Sequence, residues 1–168
     1  GGPVTIHSSH PFATPPEQRD AARRLRGRLV APVTLWASGT GPARVGLTVS
    51  SVLVALGEPA RMLGLVDPDS DLALGLGETF AVTLLAEGDH GLAEAFAGLA
   101  PAPGGLFRLA AFDDTAWGPV LAGRSWVGVR LESTRELGWS TEVVGVLEHV
   151  ELTEQAPLVH LQGRYRGL

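Results

Sequence analysis

The chain has 168 residues, 45 % of them hydrophobic, and carries a formal net charge of −5. That is enough apolar material for one domain with its own core, and it argues against extended disorder. The acidic balance gives no reason to expect a nucleic-acid surface or partner, no apolar run is long enough for a membrane-spanning helix, and the absence of cysteine excludes disulfides, thiolate nucleophiles and Cys-based zinc sites. All 13 basic residues are arginine, which also removes Schiff-base lysine chemistry and the lysine of a Walker loop. The composition suits a cytoplasmic protein. The chain opens on Gly1-Gly2, as a trimmed chain does, and shows no signal-peptide pattern.

Residues 1–16 are rich in Pro, Ser and His and read as an extended arm ahead of one domain over 17–168. Glu17–Leu29 has the spacing of an amphipathic helix, with Ala21, Ala22, Leu25 and Leu29 as its apolar positions. Pro32–Ser38 reads as a strand, Ser38–Pro42 as a turn, and Arg44–Ser51 as the return strand. Arg61–Val66 is an apolar strand expected to be buried on both faces. Pro68–Asp71 predicts a turn and helix cap, followed by a short helix through Gly75. Next come a strand over Phe80–Ala86, a helix over His90–Leu99 with Leu92, Phe96 and Leu99 on one face, and a loop over Pro101–Gly105. The last third is β: Ser125–Ser133, Glu142–Leu152 and Leu158–Tyr165. The strands do not alternate with crossover helices, so the pattern is that of an antiparallel barrel with helices packed on it.

Few motifs in the chain carry chemistry. Gly39-Thr-Gly41 and Gly75-Leu-Gly77 lack the context of a dinucleotide fingerprint and read as turns. His7 and His10 lie close together but make only two ligands, and His90 follows Asp89 where local capping is expected. His149 and His160 lie on predicted strands, where they could face each other or a ligand, and no metal site emerges. No nucleophile elbow is present. Asp113-Asp114 and Trp117 read as a solvated loop, and Trp139 as barrel packing. Thr48, Ser50 and Ser51 stand out, because a hydroxyl-rich strand end offers donors to a phosphate or a flavin ring without a charged side chain.

Taken in order from Leu29 to Leu168, the segments resemble the flavin reductase-like family, an FMN-binding split β-barrel. Val30-Ala-Pro-Val-Thr-Leu-Trp-Ala37 resembles the first barrel strand. Val45-Gly-Leu-Thr-Val-Ser-Ser51 with Glu58-Pro59 resembles the flavin-contacting strand and the proline after it, and Asp67-Pro-Asp-Ser-Asp71 the next contacting loop. Phe80–Leu85, Leu92–Ala97 and Pro119–Gly123 match the following strand, the helix after it and the lead-in to the long strand. Pro157-Leu-Val-His-Leu-Gln-Gly-Arg-Tyr165 is similar to the closing strand, with His160 where Tyr is usual. The resemblance implies a mainly β fold, a six- or seven-stranded antiparallel split barrel with peripheral α-helices. It further implies a homodimer, FMN or FAD as cofactor, and NAD(P)H as cosubstrate, with a flavin-dependent monooxygenase as partner. Thr48, Val49 (through its backbone), Ser50 and Ser51 would contact the flavin or its phosphate, with Asp67 and Ser70 in the second loop. No catalytic residue is nominated, since the flavin itself carries the redox chemistry.

The sequence also departs from that pattern. Many reductases carry a Gly-Asp-His motif after the long strand, where this chain reads Leu137-Gly-Trp-Ser-Thr141. Val54 and Leu56 stand where serines are common, and the contacting loop is acidic at Asp67, Asp69 and Asp71. Trp139 could instead stack on a flat ligand. Two other readings therefore stand beside the flavin reductase: a non-catalytic dimer binding flavin or another cofactor, and a barrel with a degenerate pocket that serves as an interaction module.

Overall fold

A computed structural model describes residues 16–168, so the predicted arm lies outside the described residues but for Pro16, which opens α1. The elements run α1 (Pro16–Arg28), β1 (Ala31–Pro32), β2 (Thr34–Ser38), β3 (Val45–Val49), β4 (Val52–Ala55), β5 (Arg61–Val66), α2 (Asp71–Gly75), β6 (Thr79–Leu84) and α3 (His90–Phe96). They continue with β7 (Phe112–Asp114), β8 (Pro119–Leu121), β9 (Trp126–Leu137), β10 (Ser140–Glu151), β11 (Leu158–Leu161) and β12 (Arg164–Gly167). No described helix is long and apolar enough to cross a membrane.

Seven strands form one antiparallel sheet in the order β3-β2-β6-β9-β10-β5-β4. Its two edge strands, β3 and β4, are consecutive in the chain and joined by only Ser50 and Ser51. Three peptide steps reach about 11 Å at most, so the edges must curl towards each other. Register shifts in the β9–β10 pairing, at Val144/Gly145 and Leu147/His149, leave Glu132 of β9 and Glu148 of β10 as extra residues and supply the local bending that curling requires. The product is the split barrel that the resemblance implies, with β3 and β4 flanking its seam.

Alternation on the strands sorts the residues into two cores. Inside the barrel, Trp36 stacks on Phe80 at 4.8 Å and packs with Val49, Met62, Val66, Val127, Val129 and Val143. Outside it, α3 closes a second cluster through Phe96, over Val33, Leu35, Leu85, Leu121 and Leu158. The indole of Trp36 leaves no room opposite it on β5: a Cβ at Gly64 would lie 2.6 Å from its ring. β5 is not buried on both faces as expected, since only every second residue is fully buried. The predicted strand over Leu158–Tyr165 is a hairpin, turned by Gln162 and Gly163, both at positive φ. Leu99 lies beyond the end of α3 and is exposed, so only Leu92 and Phe96 serve the expected face.

Asp89 does not cap α3 with its side chain. Its carboxylate accepts from the Ala86 N–H and takes a two-pronged contact from Arg124 at 2.8 Å, pinning the start of α3 to the turn before β9. Burial alone would raise the Asp89 carboxyl, but Arg124 and the Ala86 N–H outweigh it and hold it below its ordinary value of 3.8. A depressed carboxylate pKa adds stability above the unfolded-state value, and that stability is lost as pH falls through the folded-state value. Arg124→Ala is expected to cost about 2 kcal/mol at neutral pH, because it leaves a mostly buried charge without its partner. Urea unfolding should show that loss at pH 7 and a smaller gap between variant and parent at pH 3.

Candidate functional site

The seam gathers the hydroxyl-bearing residues. On β3, Val45, Leu47 and Val49 point into the barrel, which turns Gly46 and Thr48 outwards towards α3. Thr48 donates its hydroxyl to the Ala93 carbonyl on α3 at 2.7 Å. The strand ends at Val49, two residues short of the predicted Ser51, and there the Thr34 hydroxyl donates to the Val49 carbonyl at 2.6 Å. Ser51 then accepts the Leu65 N–H at 3.0 Å, and Val66 is the last residue of β5 before Asp67. This backbone bond sets Ser50-Ser51 beside the end of β5, from which the Asp67–Ser70 loop leaves. The two segments singled out in the sequence are therefore neighbours in space.

Their hydroxyls are not equally available. Ser70 caps α2, accepting the Ala73 N–H while donating to the Asp67 carbonyl, so it is fully engaged by the turn. Asp67 accepts the Asp69 N–H in an Asx turn at 2.9 Å, which makes it a builder of the loop. Thr48 has spent its proton on Ala93. Ser50 and Ser51 make no side-chain hydrogen bond among the described residues, and both are half-buried beside two open strand edges. They are the free donors of the seam.

The β9–β10 hairpin rises next to this loop, because Thr141 pairs with Val66. Its two-residue turn is Gly138-Trp139, with Gly138 at φ +60°. Trp139 is 72 % exposed, which overturns the packing expectation: at the tip of a hairpin there is no core to enter. Nor do His149 and His160 face each other. His149 lies against Trp117 and Trp126 on the outer face of the barrel, and His160 packs on Tyr165. Burial, and then the charge of Arg26, push the His160 imidazole below its ordinary pKa. Trp117 is not part of a solvated loop: it lies over Gly128 and donates to Glu148 at 2.9 Å, and Asp113 and Asp114, though exposed, lie on β7 opposite Val120 and Pro119 of β8 and not in a loop. His7 and His10 lie outside the described residues. Among the described residues, no three His, Asp or Glu side chains gather to hold a metal.

Among the clefts that open elsewhere on the surface are two of similar size. One, of about 420 Å³, lies beside Asp89 and Arg124, and its polar groups are occupied with each other. The other, of about 380 Å³, lies between the start of β3, the start of α2 and residues 104–108. Sequence reasoning missed this second cleft. Its only signal in the sequence was Gly104-Gly105 ahead of Phe107 and Arg108, in a stretch read as a loop.

A family model described as "Flavin reductase like domain" matches residues 26–168. Two curated proteins, the NADH:FMN oxidoreductases of Rhodococcus erythropolis and Rhodococcus qingshengii, are each 35 % identical over 153 residues, spanning 86 % of this chain and 78 % of theirs. Among solved structures, the NADH:FAD oxidoreductase SgcE6 of Streptomyces globisporus C-1027 superposes with a TM-score of 0.79 at 24 % identity, covering 92 % of this chain and 95 % of that one. BorF, the flavin reductase component of a bacterial two-component tryptophan halogenase, gives 0.79 at 23 % identity over 89 % of this chain and 98 % of its own.

Proposed function

The chain belongs to the flavin reductase-like family, and from that premise we propose that it is an NAD(P)H-dependent oxidoreductase that binds FMN at the barrel seam. One observation carries the reading: Ser50 and Ser51, free of side-chain partners among the described residues, cross between two open strand edges beside the Asp67–Ser70 loop. A flavin has a polar ring edge and a phosphate, and unspent hydroxyls with unpaired backbone N–H and C=O groups match that donor and acceptor set. The acidic loop fits as well, since the Asp67 carboxylate is turned onto its own backbone.

Bound there, a flavin supplies the centre that accepts hydride from a nicotinamide. The chain's own residues bind and orient. Ser50 and Ser51 donate to the ligand, the Thr34 hydroxyl fixes the Val49 carbonyl just ahead of them, and Ser70 and Asp67 hold the loop in shape. No side chain is required to move a proton, so a pure reductase needs no acid or base here.

The reading includes a homodimer. Leu53 and Val54 lie on the edge strand β4 that follows the two serines, and Leu56, 92 % exposed, lies just past its end. A second copy seated on this edge would bury the apolar strip and wall the site on its open side. Leu56→Glu should then turn the dimer into a monomer in light scattering and lower FMN affinity with it. The reading extends to delivering reduced flavin to a partner monooxygenase, in keeping with the two-component system named for BorF.

Titration of the purified protein with FMN, followed by NADH or NADPH oxidation at the nicotinamide absorbance, tests the proposal. Saturable flavin binding with turnover on at least one donor is the expected result. Binding without turnover on either donor would favour the non-catalytic flavin-binding dimer, a reading supported by Gly138-Trp139-Ser140 where many reductases carry Gly-Asp-His.

A further inference from the structure

The cleft of about 420 Å³ beside Asp89 and Arg124 stands apart from the seam. Its walls are the start of α3, residues 100–101 and 109–110, the end of β8 and the turn that follows it. No residue of β3, β4 or the Asp67–Ser70 loop lines it. Apart from Asp89 and Arg124 the lining is Leu, Ala, Pro and Gly, with Leu92, Leu109 and Leu121 as its large apolar side chains. Such a surface retains an apolar body by removing it from water.

The two charged groups give the cleft one polar end. Arg124 grips Asp89 through Nε and Nη2 at 2.8 Å, so the pair is neutral as a unit. The Asp89 carboxylate also accepts the Ala86 N–H at 2.8 Å, which engages both of its oxygens. Arg124 Nη1 makes no hydrogen bond among the described residues, and its protons remain available. The polar end therefore has donors to give and no unspent carboxylate.

We propose that this cleft binds a neutral, mostly apolar small molecule, one or two rings in size, that presents a hydrogen-bond acceptor to Arg124. The volume lies near the small end of the range for small-molecule sites, about 300–1,000 Å³, which sets the size. The lining sets the apolar character. The self-neutralised pair sets the charge: an anion would gain from Arg124 and lose to Asp89 beside it, whereas a neutral acceptor takes the charge-assisted hydrogen bond without that penalty. The site is separate from flavin binding and stands whether or not the seam holds FMN.

The test is equilibrium dialysis of the full chain with 2-naphthol, which is neutral at pH 7, alongside 2-methylnaphthalene and 2-naphthoate. Saturable binding of 2-naphthol is expected. It should be at least about fivefold tighter than that of 2-methylnaphthalene, which cannot accept from Arg124, and 2-naphthoate should bind no tighter than 2-naphthol. Gly91 supplies the blocking variant, because it lines the cleft on α3 and a Cβ there would meet no heavy atom within 4 Å. Gly91→Phe should fill the cleft without disturbing the fold and weaken 2-naphthol binding at least tenfold, while Gly91→Ala binds as the parent does. Circular dichroism and FMN affinity should be unchanged in both. The proposal is overturned if 2-naphthol does not saturate, if FMN displaces it, or if Gly91→Phe binds it as tightly as the parent. Tighter binding of 2-naphthoate would make the cleft an anion site, and equal binding of 2-methylnaphthalene would remove Arg124 from it. A change in the number of subunits by light scattering in Gly91→Phe would show that a second copy, and not a small molecule, fills the cleft.

Discussion

Ser50→Tyr is expected to weaken FMN binding more than a hundredfold while the barrel stays folded. The size of the effect follows from where Ser50 lies. It is the first of two residues spanning the gap between the edges of a curled sheet, half-buried and without a side-chain hydrogen bond among the described residues. A phenol there would fill the space between the edges and remove a donor, and a hundredfold loss corresponds to about 2.7 kcal/mol of binding. The fold should tolerate the change because Ser50 lies outside the strand pairing: β3 ends at Val49 and β4 starts at Val52. Ser50→Ala separates sterics from hydrogen bonding. Losing one neutral hydrogen bond costs about 1 kcal/mol, so FMN affinity should drop about fivefold. Titration of the quenching of flavin fluorescence reads both variants, and circular dichroism confirms the fold. If Ser50→Tyr binds FMN as tightly as the parent, the flavin does not sit at the seam.

The contrast between Ser50 and its neighbours shows what a sequence can and cannot reveal about such a site. The hydroxyl cluster was legible because residue type and strand position can be read directly. Which hydroxyls are free was not, since Thr48 is spent on the Ala93 carbonyl, 45 residues away in sequence, and no local pattern encodes that bond. Local punctuation was read well. Arg61–Val66 was predicted to the residue, and the Pro68–Asp71 turn with the short helix behind it appears as expected, because proline and a Ser cap act within a few residues. The hairpin after Leu158 was missed because its turn is Gln162-Gly163, where Asn or Asp before the glycine gives the usual signal. Leu25 and Leu29 were read as apolar positions of a helix over Glu17–Leu29; α1 ends at Arg28, and both leucines are more than 60 % exposed. Periodicity shows that a face is apolar, not what covers it. Least legible was the placement of β3 and β4 on opposite edges. That order follows from long-range pairing, and it is what makes two adjacent serines a seam.

Trp36→Ala is expected to cost 3–5 kcal/mol, about the range for removing a fully buried large aromatic side chain. With total stability of about 5–15 kcal/mol for a domain, that loss leaves the barrel marginal or unfolded at 37 °C. Trp36 is fully buried, stacks on Phe80 of β6 and reaches across to Gly64 of β5, so its ring ties strands on both sides of the barrel. It also holds a polar connection to the site. Its Nε1 donates to the Thr34 hydroxyl at 3.0 Å, which in turn donates to the Val49 carbonyl, one residue before Ser50. Trp36→Phe should separate these roles, since phenylalanine keeps much of the packing but cannot donate to Thr34. Thr34 would still have its bond to Val49, so its own position should hold while its orientation loosens. We therefore expect a drop of about 2 kcal/mol in urea unfolding, from lost volume and the hydrogen bond, and a severalfold rise in the FMN dissociation constant. Thr34→Val removes the link to Val49 without emptying the core, and it should weaken FMN binding at least as much as Trp36→Phe. Wild-type FMN affinity in Thr34→Val would show that the barrel interior supports the fold alone and that the seam holds its shape without it.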